Sequence, residues 1–590
     1  MALGSIAKVV PQAAMNRVSS TISAIVPRES LQTSFANRSL RLIVLMIVGV
    51  LAFAPNLLWG LLGFDEGMYA QIVRELNAGQ SLTALSYEGE PYFNKPPLFF
   101  WVVSAFVHLF GESELAFRLP SVLACLALVL VTYRLGCQLF DATVGWWAGL
   151  ALSTTYMMLW YGPRISFDAG TTLAMTFAVY AWVAAQQRAA PSWWYGLSFM
   201  SMTVGVMLKA VHALVLPLAV IVAWMWQQQD WRPLKARATW LGLGISVLVL
   251  SSYYAVWDPA YLQHYFFTEQ IHRVFSLESL ARYWGSRPLW WYAEMIWFDG
   301  FPWSLLLMPG LALMWKRHPF RDHPGEGLVV LWFGIVFGLL SLAQVKREPY
   351  LLPLTPVLAL AAGYSIRAVM DGKEMSVVLR AGWRMMLATY GVIFLLLGAV
   401  SPYLFERMLN IPRDAFPDLA MMALVLVGLW MIVTAFLEER ALGVTSLGLA
   451  AIGFLIFING VVLPGIERHA SAKPVMARLQ ALWQEPVPLI IVAPWGSLTE
   501  EMRYYGGQRL RQHVISDMDD LPEQWQNYPR IRVLVEADRL ASFLERTSAS
   551  VCRVDVLDRL AVNRTQWQVL ELSIEHCASS AGAPPVPIAP

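Results

Sequence analysis

Charge is scarce in this sequence. Asp, Glu, Lys and Arg together make up 14% of its 590 residues, against roughly a quarter in an ordinary soluble domain. Cysteine is scarcer still, at four in the whole chain, which excludes a small disulfide scaffold. Zinc-type ligand spacings, nucleophile elbows and phosphate-binding P-loops are absent. An activated donor is therefore the expected energy source, rather than a bound nucleotide. No internal repeat is evident, which argues against a transporter built from inverted halves.

What is abundant is apolar side chain. Hydrophobic residues make up 57% of the chain, and the mean hydropathy is +0.50. A single soluble core stops growing well before this length, so a soluble enzyme and a disordered chain are both excluded. Only helices or closed barrels can span lipid. The apolar runs here are long and continuous rather than alternating, so helices are expected and barrels are not. The net charge of +2 carries no signal for nucleic acid. The expected class is a polytopic α-helical membrane protein.

Residues 1–40 are mixed and polar, with Lys8, Arg17, Arg28 and Arg38, and a run from Arg41 to Leu62 follows. That run is too long for a signal-peptide core and is expected to be a retained first span, with its basic flank in the cytoplasm. Further apolar segments lie near 97–111, 116–137, 144–160, 167–187, 193–208, 210–227, 238–257, 301–316, 327–345, 349–369, 382–403, 418–437 and 442–463. Segment 97–111 is about 15 residues long, and at ~1.5 Å per residue it falls short of a ~30 Å hydrocarbon core. It is expected to lie at the outer surface. That leaves about thirteen spans. With this parity the basic stretches after Arg188, around Arg232, Lys235 and Arg237, at Lys316 and Arg317, from Arg367 to Arg384, and at Arg440 all fall on the cytoplasmic side.

The expected organisation is a cytoplasmic segment 1–40, a membrane domain 41–464 with long outer loops 63–115 and 258–300, a small soluble α/β domain 465–579, and a disordered Pro/Ala-rich tail 580–590. In the α/β domain, strand-like runs are Val487–Ala493, Ile531–Glu536, Val551–Leu557 and Gln566–Leu572, with a helix-like stretch at Ala472–Trp483. Cys125 and Cys137 read as core residues. Cys552 and Cys577 share the outer domain, where a disulfide is permitted and its formation is left open.

Ionisable residues at the lipid boundary are functional candidates by default. Asp65 and Glu66 follow the first span; they read either as a helix cap or as a site carboxylate beside a capping one. Lys95 stands in Tyr92-Phe93-Asn94-Lys95-Pro96-Pro97, where the prolines stiffen the chain. It reads as a phosphate binder or as a snorkelling interfacial lysine. Asp168 falls on the same side as Asp65, with Arg164 four residues away as an available salt-bridge partner. Loop 258–300 carries Glu269, His272, Arg273, Arg282, Arg287, Glu294 and Asp299 among many aromatic residues, and its cations suggest anion binding. Lys346 and Arg347, before Glu348 and Tyr350, oppose the positive-inside trend. A phosphate at the outer boundary would supply the reason. Together these residues suit a lipid-linked phosphate whose chain lies in the bilayer.

Five features in order match one known group: Asp65-Glu66 after the first span, Tyr92-Phe-x-Lys-Pro-Pro-Leu98 in the first loop, Arg164-x-x-x-Asp168 after span three, His272-Arg273 after span seven, and Lys346-x-x-x-Tyr350-x-x-Pro353 after span nine. Over about residues 41–465 the chain resembles the bacterial lipid A aminoarabinose transferase family. These are polyprenyl-phosphate-sugar glycosyltransferases of the GT-C fold, related to protein O-mannosyltransferases. The resemblance implies a periplasm-facing active site in the inner membrane, an undecaprenyl-phosphate-linked sugar donor, and lipid A or another periplasmic acceptor. Protein acceptors are the alternative enzyme reading, and a lipid or sugar transporter is the non-enzyme one. A monomer is expected.

By resemblance, Asp65 and Asp168 are the essential carboxylates, with Glu66 beside them. Lys95, Arg273 and Tyr350, supported by Lys346 and Arg347, hold the donor phosphate. Tyr92, Asn94, Arg164, Glu269 and His272 line the pocket. The family has Glu where this chain has Asn94, Glu-His where it has Glu269-Gln270, and Lys-Leu-Pro-x-Tyr where it has Lys-Arg-Glu-Pro-Tyr. No cofactor is implied with certainty. A divalent cation is left open, as is the sugar.

Overall fold

The computed structural model describes residues 38–61, 63–79, 81–187, 192–272, 287–317, 323–343, 345–372, 377–409, 413, 417–437, 439–483, 487–493, 498–512, 514–515, 530–547, 553–562 and 565–573. Arg273, Arg282, Cys552, Cys577 and the Pro/Ala-rich tail lie outside the described residues. The chain divides into two compact units. The first is 1–58, 72–401 and 417–461; the second is 59–71, 402–416 and 462–590.

The first unit is helical. Several of its helices start where a side chain satisfies free amide groups. Ser113 caps Glu114–Leu139 by accepting from the Ala116 N–H, and Asp141 caps Ala142–Thr154 by accepting from Thr143 and Val144 at 2.8 and 3.0 Å. Ser166 caps Phe167–Ala185 by accepting from the Asp168 N–H. Tight helix pairs are made by glycine. A Cβ on Gly136 would stand 2.7 Å from the Gly145 Cα, and one on Gly242 would stand 2.5 Å from the Gly196 Cα. Small residues let apolar helices approach where lipid supplies no hydrophobic drive between them.

Among the described residues, eight helices are long and apolar enough to cross a membrane. The count is nine if Trp291–Asp299 and Ser304–Lys316, bent by 114°, form one broken span. This is fewer than the thirteen expected from the apolar runs, for local reasons. The run 144–160 is split, because Thr155 is extended (φ −70°, ψ 134°) between Ala142–Thr154 and Tyr156–Tyr161. The runs 193–208 and 210–227 form helices of only 16 and 17 residues, Trp193–Leu208 and His212–Gln228. Leu98–Phe110, which the thirteen did not include, has 13 residues, about 20 Å at 1.5 Å per residue, too short to cross.

Two short strands, β1 (Ser86–Tyr87) and β2 (Glu90–Pro91), form a hairpin ahead of Leu98–Phe110. Its turn needs positive φ at Glu88 and Gly89 (54° and 83°), the geometry of a tight hairpin turn.

The second unit contains a five-stranded mixed sheet. Its strands are β3 (Leu489–Val492), β4 (Val514–Ile515), β5 (Arg530–Glu536), β6 (Arg553–Val562) and β7 (Thr565–Ser573), in the order β4-β3-β5-β7-β6. β3 pairs parallel with β4 and β5, while β7 pairs antiparallel with β5 and β6. Alternation along β5 divides the core. Ile531, Val533 and Val535 pack with Phe543, Leu570 and Leu572. Leu534 faces the other way, among Val475, Met476, Leu479, Met502 and Trp567. Helices Ala472–Leu482 and Glu500–Gln512 supply that second layer. The four strand-like runs of the sequence coincide with β3, β5, β6 and β7. Two-residue β4 is too short to show a period.

Candidate active site

In the first unit, hairpin β1–β2 delivers the chain to Lys95, and Pro96-Pro97 then start helix Leu98–Phe110. The Tyr92 N–H donates to the Leu85 carbonyl at 2.8 Å, closing the hairpin neck. Lys95 is 17% exposed and its Nζ lies 3.5 Å from Oε2 of Glu269, which is 6% exposed. Asn94 is exposed at the surface, and its carbonyl accepts from Lys95 Nζ at 3.2 Å. Two residues chosen separately from sequence, Lys95 and Glu269, are thus an ion pair.

Asp168 sits in the first turn of Phe167–Ala185. Its partner is not Arg164, as spacing suggested, but Lys209, whose Nζ donates to Asp168 Oδ1. The two side chains are 12% and 11% exposed. Arg164 turns away, and its guanidinium lies 4.2 Å from the centre of the Trp160 ring. The reason is geometric. Asp168 is already wound into the helix, whereas Arg164 lies in the irregular turn before it, so the i,i+4 spacing of a continuous helix does not apply.

Lys209 was not among the sequence candidates. The signal was available, since it is the one residue that breaks the two apolar runs 193–208 and 210–227. A cation between two apolar segments is a functional candidate. Its Nζ also lies 4.8 Å from the centre of the Tyr350 ring, a cation–π contact. Tyr350 stands on the short 3₁₀ helix Glu348–Leu354. Asp168, Lys209 and Tyr350 therefore form one chain of contacts.

Both lysines are held from behind by the same helical segment. Tyr261 donates its hydroxyl to the Lys95 carbonyl, and Tyr265 donates to the Lys209 carbonyl at 3.1 Å. The two tyrosines are four residues apart and fully buried, so one face carries both. Trp257, Tyr261 and Phe93 stack behind Lys95, with ring centres 4.4 and 5.0 Å apart. The segment continues as the π-helical stretch His264–His272, which carries Glu269. The side chain of His272 lies outside the described residues.

The remaining basic candidates are placed differently. Lys346 is buried, and its ammonium is turned onto the carbonyls of Ala343 (2.6 Å) and Arg287 (3.5 Å). Burial pushes its pKa below the ordinary lysine value. Arg347 is exposed along its side chain, and its backbone exchanges two hydrogen bonds with the Tyr292 hydroxyl, at 3.2 and 3.3 Å. Arg287 covers the Trp291 ring at 4.5 Å.

Asp65 and Glu66 belong to the second unit. They occupy the first turn of Phe64–Asn77, where carboxylates meet the positive end of the helix dipole. Glu66 is buried. The turn before them is held by side chains from the sheet-bearing part of the same unit. Gly60 N–H donates to Glu467 at 2.9 Å, Leu61 N–H to the Tyr505 hydroxyl at 2.8 Å, and Gly63 N–H to Glu501 at 2.5 Å. A Cβ on Gly67 would lie 2.6 Å from the Glu500 carbonyl carbon, so only glycine permits this approach. Among the described residues, no group of three or more His, Cys, Asp or Glu is placed to hold a metal ion.

The pattern of the dolichyl-phosphate-mannose-protein mannosyltransferase family matches residues 94–257. The undecaprenyl phosphate-alpha-4-amino-4-deoxy-L-arabinose arabinosyl transferase of Pseudomonas paraeruginosa is 28% identical over 344 residues, 55% of this chain and 59% of that protein. The enzyme of the same name from Edwardsiella ictaluri is 28% identical over 310 residues, 51% of this chain and 54% of that protein. The chain thus matches a little over half the length of these relatives. The crystal structure of ArnT from Cupriavidus metallidurans bound to undecaprenyl phosphate superposes over 92% of this chain and 99% of that one, with TM-score 0.65 and 21% identity.

The chain resembles the bacterial aminoarabinose transferases. It also shares the GT-C fold of ArnT. The mannosyltransferase match begins at Asn94 and ends at Trp257, so it takes in Lys95, Arg164, Asp168 and Lys209.

Proposed function

We propose that this chain is a membrane glycosyltransferase that moves a sugar from undecaprenyl phosphate to lipid A at the periplasmic face of the bacterial inner membrane. The observation that carries this reading is the linked set Asp168–Lys209–Tyr350 beside Lys95–Glu269, in a chain with the fold of a protein crystallised with undecaprenyl phosphate. Thirteen spans, a periplasmic α/β domain and a monomer belong to the same proposal.

The chemistry is displacement at the sugar's anomeric carbon. The bond from that carbon to the phosphate oxygen breaks, and the electron pair leaves with undecaprenyl phosphate. Lys95 and Tyr350, with Arg273, neutralise the departing phosphate. Lys346 and Arg347 shape the turn that presents Tyr350. Asp168, held by Lys209, orients the sugar, and the two together bring little net charge to it. Tyr92, Asn94, Arg164, Glu269 and His272 line the donor's approach. If the acceptor is a hydroxyl, Asp65 takes its proton as the new bond forms, with Glu66 capping the helix beneath it. If the acceptor is a phosphate of lipid A, the nucleophile is already ionised and no base is needed.

The mannosyltransferase match over 94–257 favours a second reading, in which protein is the acceptor. Mass spectrometry of lipid A from cells with and without the chain separates the two. A mass increment of one aminopentose, hexose or uronic acid on lipid A supports the first reading. Unmodified lipid A with glycosylated envelope protein supports the second.

A further inference from the structure

One carboxylate outside this chemistry bears on it from a distance. Glu75 lies in the last turn of helix Phe64–Asn77, where the helix dipole disfavours negative charge, so the helix itself does not account for it. It is half-buried and faces hairpin β1–β2. Its Oε1 accepts from the Glu88 N–H at 2.7 Å. Its Oε2 accepts from the Ser86 hydroxyl at 2.5 Å and from the Gly89 N–H at 3.3 Å. Both backbone amides of the hairpin turn thus end on one carboxylate.

That turn is one its own sequence does not favour. Tyr87 and Glu90 are paired, so only Glu88 and Gly89 lie between them, and both have positive φ, 54° and 83°. Glycine adopts this conformation at little cost, whereas for Glu it is uncommon. Asn-Gly or Asp-Gly is the usual pair in such a turn. Strands of two residues each are also too short to hold a hairpin together in water. Charge-assisted hydrogen bonds from outside the hairpin supply what the turn lacks.

The hairpin in turn sets Lys95. The bond from the Tyr92 N–H to the Leu85 carbonyl closes its neck, and Lys95 follows three residues later, within about 10 Å of extended chain. The residues between are packed. Tyr92 meets Phe100 edge-on with ring centres 6.0 Å apart, and Phe93 stacks on Tyr261 at 5.0 Å. We propose that Glu75 is a positioning residue for the donor phosphate: by holding the strained turn it fixes Lys95 in place before the donor arrives, without itself touching the donor. The inference rests on the reading of Lys95 as a phosphate ligand. A cation held in place loses less freedom on binding, so the contribution of Glu75 is to donor affinity.

The test uses the purified full-length chain in lipid nanodiscs, with undecaprenyl phosphate as the binding probe. Glu75→Ala should raise its Kd about tenfold. Turnover with an undecaprenyl-phosphate-linked aminopentose should keep kcat within about twofold of the wild type. In the Lys95→Ala chain, adding Glu75→Ala should change Kd by less than about twofold, because there is no lysine left to position. Glu88→Asn alone should bind like the wild type. Added to Glu75→Ala, it should restore most of the affinity, since Asn-Gly holds the turn without the carboxylate. Glu75→Gln keeps one acceptor oxygen and should give a smaller loss in the same direction; it carries the test if the Ala variant does not fold. A wild-type Kd in Glu75→Ala would overturn the inference. So would a full tenfold loss that persists in the Lys95→Ala chain, or a loss that Glu88→Asn does not relieve, since either would show a general structural role. If Lys95→Ala itself leaves Kd unchanged, the phosphate reading of Lys95 fails and the inference falls with it. A Lys95 effect without a Glu75 effect removes the inference alone.

Discussion

The two acidic turns of the chain are built in opposite ways. Asp168 is met by a buried lysine that is itself packed on Tyr350 and anchored from behind by Tyr265. Asp65 and Glu66 instead share one helical turn, in a unit whose nearby anchors are more acids, Glu467, Glu500 and Glu501. A neutralised carboxylate is suited to holding a substrate in place. The roles proposed above, orientation for the first and proton transfer for the second, stand or fall with this contrast.

The largest expected effect tests the second half of that contrast. Asp65→Asn should lower turnover by about 10³-fold with a hydroxyl acceptor, the usual range for loss of a general base. The donor KM should hold. A matching loss with a phosphate acceptor would move Asp65 from proton transfer to sugar binding.

Next comes the buried pair. Lys209→Ala leaves Asp168 charged and uncompensated and should destabilise the protein by about 3 kcal/mol. The double variant Lys209→Ala with Asp168→Asn should recover much of that stability but no activity. A single variant that melts like the wild type would mean the pair carries no buried charge.

Lys95→Ala should act mainly on binding. Loss of one charge-assisted phosphate contact predicts about a 10- to 30-fold rise in donor KM with kcat little changed. Steady-state kinetics at varied donor concentration would show this. An unchanged KM would return Lys95 to a purely interfacial role.

The smallest effect sharpens the account of how both lysines are held. Tyr265→Phe removes one hydrogen bond to the Lys209 carbonyl, worth about 1 kcal/mol. Donor KM should rise about fivefold on that figure, and Tyr261→Phe should match it through Lys95. If the double Phe variant costs no more than either single one, the two tyrosines act as one clamp.

The sequence made some of this legible and hid the rest for physical reasons. Continuous apolar runs announced the helical unit, and short apolar runs set between polar ones announced β3, β5, β6 and β7, because burial leaves a trace in the sequence. Span counting was less sure. Thr155 breaks a helix without any Gly or Pro to mark the place, and Trp193–Leu208 and His212–Gln228 are short. In the site, Lys95 and Glu269 were each chosen from local context, and the fold pairs them. Lys209 leaves only a faint trace, a single residue at the seam between two apolar segments. Arg164, four residues before Asp168, would reach it on a continuous helix, but the helix begins only after Arg164.

The reaction proposed for this chain is transfer of a sugar from undecaprenyl phosphate to lipid A. Its most direct test is transfer by the purified full-length chain in nanodiscs, supplied with a radiolabelled undecaprenyl-phosphate aminopentose, lipid A and an envelope protein extract. The proposal predicts label on lipid A, dependent on Asp168. Label on protein alone, or label on lipid A that survives Asp168→Asn, would contradict it.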